Sequence, residues 1–131
     1  MANMGRRRYP MESLGDGRML LEGTFRPNGS SAVSATTREG TTGWSVARTS
    51  AGLFTVTLED VWYIATSKWC SLQLAAGSDK ILQFGEISLS SKTVQLRVWD
   101  ISDAAVADIA DDANNKISFG LVLKRITTSV R

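Results

Sequence analysis

The chain has 131 residues, 43% of them hydrophobic and 21% charged, with fifteen basic against thirteen acidic residues and a net charge of +2. This is enough for one domain whose core hides about two thirds of the unfolded surface, and it excludes the disordered and membrane-helical classes. The near-balance of charge argues against a broad nucleic-acid-binding face, and the single cysteine, Cys70, permits neither an internal disulfide nor a cysteine-based metal site.

Residues 1–18 are polar and broken by Gly5, Pro10, Gly15 and Gly17, so they read as an extended N-terminal arm before a domain over 19–131. Arg6, Arg7, Arg8 and Tyr9 make this arm the first partner-binding candidate. No continuous apolar stretch follows the arginines as a secretory signal requires, and none approaches a membrane span; the expectation is a protein made and used in an aqueous, reducing compartment.

Residues 19–26 are strand-like and end at the turn chemistry of Pro27-Asn28-Gly29. Residues 30–43, rich in Ser, Thr, Ala and Gly, read as a long loop, a second candidate contact. From Trp44 onward the period is two. Phe54, Val56 and Leu58 alternate with Thr55, Thr57 and Glu59, and Cys70, Leu72 and Leu74 with Ser71 and Gln73. Val94, Leu96 and Val98 alternate with Thr93, Gln95, Arg97 and Trp99, and Ile117, Phe119, Leu121 and Leu123 form the last apolar row. The breaks at 49–52, 75–80 and 90–92 are too short for parallel crossovers. The predicted fold is all-β, an antiparallel β-sandwich or jelly-roll-like barrel of seven to eight short strands. One short helix is predicted over 104–113, which is alanine-rich, follows Ser102-Asp103 as an N-cap, and sets Val106, Ile109 and Ala110 on one side.

The chain has no histidine, which removes the imidazole-dependent triads, the usual zinc sites and the commonest general base at neutral pH. Glu59-Asp60 and Asp111-Asp112 are neighbours in sequence; on strands such pairs diverge to opposite faces, so neither forms the facing carboxylates of a glycosidase. The late aspartates, Asp100 to Asp112, lack the spacing of a calcium loop, and no glycine-rich phosphate loop occurs. No catalytic residue, cofactor or metal is therefore assigned, and the expectation is a binding or structural module rather than an enzyme. Trp44 and Trp62 lie in apolar runs and are core candidates. Trp69, at a strand start beside Lys68, and Trp99, on the polar parity of its strand, are the interface candidates, with Tyr63 behind them.

Residues 44–58, running from Trp44-Ser45-Val46 through Ala51-Gly52 to Val56-Thr57-Leu58, resemble a hairpin of small β-rich structural proteins of tailed bacteriophages. The Asp108 region and the closing run Lys116-Ile117-Ser118-Phe119-Gly120-Leu121-Val122-Leu123 are similar to the ends of such proteins, and the resemblance spans about residues 43–126. It implies a virion structural protein: a capsid decoration (cement) protein, or a head-fibre or tail component, commonly a homotrimer that grips the major capsid protein through a terminal arm. No heptad or collagen-like shaft is present, which favours cement over fibre. The partners implied are the major capsid protein and further copies of the chain, with no nucleic acid and no membrane, and the place implied is the capsid surface after synthesis in the host cytoplasm. A carbohydrate- or receptor-binding module of a tail or head fibre, stacking its ligand on Trp69, Tyr63 or Trp99, is the alternative.

Overall fold

The computed structural model describes the backbone of residues 12–15 and the whole of residues 18–124. Arg6, Arg7, Arg8 and Tyr9 lie outside the described residues. The chain forms an all-β sandwich of two antiparallel five-stranded sheets. In order the strands are β1 (Glu12–Gly15), β2 (Arg18–Phe25), β3 (Glu39–Gly40), β4 (Trp44–Ser50), β5 (Leu53–Leu58), β6 (Ile64–Gln73), β7 (Lys80–Ser88), β8 (Thr93–Asp100), β9 (Ala105–Val106) and β10 (Lys116–Lys124). The first sheet runs β1-β2-β10-β6, with β3 on the same edge of β2 as β1; the second runs β4-β5-β8-β7, with β9 extending the line of β5 beside β8.

The alternation read from the sequence sets this arrangement. Leu21, Phe25, Ile117, Phe119, Leu121 and Leu123 of the first sheet face Trp44, Phe54, Val56, Leu58, Val94, Leu96 and Val98 of the second, and all are buried, as is Trp62. Rings tie the layers together: Phe25 and Phe54 have centroids 5.3 Å apart, and Trp44 meets Phe119 edge-on at 5.0 Å. Gly23, on the inward parity of β2, leaves the space that the Trp44 indole fills; a Cβ there would stand 2.2 Å from the ring. Cys70, Leu72 and Leu74 pack half-buried against the same core.

Two expectations change. Glu12–Gly15, within the stretch read as an arm, pairs with β2, so the sheet begins before residue 19. The helix read over 104–113 is absent, and the one helical turn among the described residues is a 3-10 turn at Ala35–Thr37, capped by Ser34. Three contacts override the alanine propensity. Asp100 nucleates a turn whose last residue, Ala104, takes a left-handed φ of 51°. β9 then pairs with β8. Asp108 is next drawn to the β4–β5 hairpin: Arg48 donates to its two oxygens at 2.9 and 2.8 Å, and the Gly52 amide donates at 2.9 Å. Gly52 has a φ of 65°, and a Cβ there would lie 2.7 Å from the Ala107 backbone, so this close approach needs glycine. Ile109 is buried, and its carbonyl accepts from the Gly29 amide at 2.8 Å. The segment thus closes one end of the sandwich in extended form.

Candidate binding surfaces

Alternation decides which side chains are left for contact. Val94, Leu96 and Val98 point inward, so Trp99 faces out from the second sheet. Register places Ile81 of β7 on one side of it and Val106 of β9 on the other. Ile81 and Val106 are 37% and 40% exposed, and Ile101, in the turn just beyond, is 58% exposed. These four residues make an apolar row at the closed end of a face whose other outward positions include Leu53, Thr55, Thr57, Gln83, Gln95 and Arg97. The turn that presents Ile101 and β9 is pinned by Asp100. Its Oδ1 accepts from the Ser102 hydroxyl at 2.7 Å and the Ser102 amide at 3.0 Å, while Lys80 Nζ stands 3.9 Å from Oδ2. The Ser102 hydroxyl above all, helped by the backbone amides and Lys80, holds the Asp100 carboxyl below the usual carboxylate range.

Trp69 faces out from the other sheet. It pairs with Gly120 of β10, and a Cβ at 120 would stand 2.0, 2.2 and 2.5 Å from Cζ2, Cε2 and Cη2 of the indole. The six-membered ring therefore lies flat on the glycine, and Trp69 remains 43% exposed. Beyond Gly120 in the same row is Glu22 of β2. The next row is Ser71, Ser118 and Thr24, with the last two hydroxyls hydrogen-bonded at 2.8 Å. On the other side lie Ser67, Val122 and Leu20.

The loop of residues 30–43 folds over Trp44. Thr41 exchanges hydrogen bonds with the Glu22 backbone, accepts the Trp44 Nε1 proton on its carbonyl at 2.7 Å, and leads back to Arg38, whose guanidinium lies 5.4 Å from the centroid of the Trp44 ring. A recess of about 310 Å³ is left between Arg38, Thr41, Trp44 and Glu59.

No family model, curated protein or solved structure matches this chain.

The chemistry of the surfaces rests on the residues alone. The late aspartates are engaged within the fold: Asp108 with Arg48, Asp111 with Arg26 at 2.5 Å, and Asp100 in its turn. Arg48 and Arg26 are the main reasons that the Asp108 and Asp111 carboxyls sit below the ordinary range. Among the described residues no three His, Cys, Asp or Glu side chains gather where they could hold a metal ion. Burial pushes the Cys70 thiol up, away from the reactive thiolate.

Of the sequence candidates, Trp69 and Trp99 are both on the surface, but on opposite faces of the sandwich, so they belong to two sites. Tyr63 is exposed just before β6, about 20 Å along the strand from Trp69 at the usual rise per residue. Reading single tryptophans missed their neighbours. Ile81 carried a signal, since it lies on the parity opposite Leu82 and Phe84. Val106 did not, because it was assigned to a helix, and Gly120 stood as an interruption in an apolar run.

Proposed function

We propose that this chain is a non-enzymatic structural protein of a virus particle, which binds and stabilises a phage capsid as a homo-oligomer, with the trimer favoured. The observation that carries the reading is the Ile81–Trp99–Val106 row with Ile101 beyond it, a contiguous apolar strip on a rigid sheet. Strips of this kind mark protein contacts, and a tryptophan between two aliphatic neighbours is the usual composition of an interface centre. The likeness of the β4–β5 hairpin and the β10 run to small phage structural proteins supports the capsid as the setting.

In this reading the row joins copies of the chain, and the basic arm with Arg6, Arg7, Arg8 and Tyr9 reaches the major capsid protein. Each exposed ion pair contributes only about 0–1 kcal/mol, so capsid affinity arises from several arms engaged at once. Deleting residues 1–11, which leaves β1 in place, is expected to preserve the circular-dichroism spectrum and the oligomer while abolishing co-sedimentation with capsids. Undiminished co-sedimentation of the truncated protein would overturn the role of the arm.

A further inference from the structure

We propose that the outer face of the first sheet binds neutral hexopyranoside glycans, with Trp69 as the stacking platform. This does not depend on the capsid reading, because it rests on a different face and different residues.

The platform is built by a pair of residues. Because Gly120 has no side chain, the indole of its cross-strand partner lies flat on the backbone with one face covered and the other turned to solvent. An aromatic plane parallel to a sheet is the surface on which the C–H face of a pyranose ring rests, since the face of the π system carries partial negative charge and the sugar C–H groups partial positive charge. A stacked sugar also needs groups at its rim to meet its hydroxyls. Ser71, Ser118 and Thr24 form a hydroxyl row on one side of the ring, and the Glu22 carboxylate stands across Gly120 as an acceptor. Val122 and Leu20 give the opposite side a shallow apolar wall. The mixture differs from the Trp99 row, where aliphatic side chains flank the ring and suit a protein partner. The charge chooses among sugars: a carboxylate beside the platform disfavours uronic and sialic acids.

A small cross-strand aromatic covering a glycine also stabilises a sheet without any ligand, so the test must separate binding from folding. The full-length chain is applied to an array of neutral and acidic oligosaccharides, and its best binder is titrated against variants. The expected result is binding to neutral hexopyranosides, weakened about tenfold or more by Trp69→Ala, as for truncation of an aromatic anchor, and weakened also by Glu22→Gln. Trp69→Leu keeps an apolar cover on Gly120 without an aromatic plane; it serves if the alanine variant unfolds, and is likewise expected to lose binding. No signal on the array, binding restricted to acidic glycans, or binding retained by folded Trp69→Leu would each overturn the proposal.

Discussion

Two glycines of the first sheet lie beneath tryptophan rings, on opposite faces: Gly23 inside, under Trp44, and Gly120 outside, under Trp69. The same missing methyl has a different energetic weight at the two places. Trp44 is fixed between Phe25, Phe119 and the Thr41 carbonyl, so a methyl at residue 23 has nowhere to send the ring. Gly23→Ala is expected to destabilise the fold by about 1–3 kcal/mol, the usual cost of overpacking a filled core, read as a lower urea midpoint of tryptophan fluorescence. Gly120→Ala is expected to shift that midpoint less, because Trp69 can lift into solvent; an equal or larger shift would contradict the exposure of that ring. Neither glycine announced this role in sequence. Its apolar run marks Trp44 as core and its place at a strand start beside Lys68 marks Trp69 as a contact candidate, but which backbone atom each covers depends on strand register, and that is fixed only when the sheets assemble.

Residues 101–115 show a local preference losing to several long-range contacts. Alanine at five of the positions from 104 to 113 favours helix, and within an isolated peptide that preference would count. Here the Asp100 turn, the β8–β9 pairing and the bidentate Arg48–Asp108 pair act on the same dozen residues, and buried Ile109 locks the result. Asp100, Asp108 and Asp111 are the fasteners of this closure. Their carboxyls are held below the unfolded-state value of about 3.9, so the stability they contribute is complete above that pH and is lost as pH falls through the lower folded-state values. The thermal midpoint is therefore expected to decline below about pH 4 and to stay level above it. Asp108→Asn is expected to be less stable at neutral pH and to show a shallower acid decline; a decline as steep as the parent's would remove Asp108 from this account. The turns at Ala51-Gly52 and at residues 89–92 were legible because their chemistry is local, whereas the partners of Asp108 lie 56 and 60 residues away in sequence.

For the molecule as a whole, period-two patterning was sufficient to give the class and layering. Seven strands of six or more residues, β2, β4 to β8 and β10, match the seven to eight expected, and the short strands β1, β3 and β9 escaped because two to four residues carry no readable period. The surfaces were half legible: Trp69 and Trp99 could be named as contact candidates, but not their company. If the Trp99 row joins copies, Trp99→Ser is expected to reduce the light-scattering mass from about three times the 14.2 kDa chain to a single copy without changing the circular-dichroism spectrum. A parent protein already running as a single copy would remove the row from assembly.

The pairing of Arg18 with Lys124 places the end of β10 at one pole of the sandwich, while β8 delivers Trp99 to the other, some 30 Å away by the usual rise of a nine-residue strand. A fluorescent reporter attached at Tyr63, which is exposed and whose amide donates to the Lys124 carbonyl, would therefore ride clear of the distal row. The same geometry gives the domain two separately addressable ends.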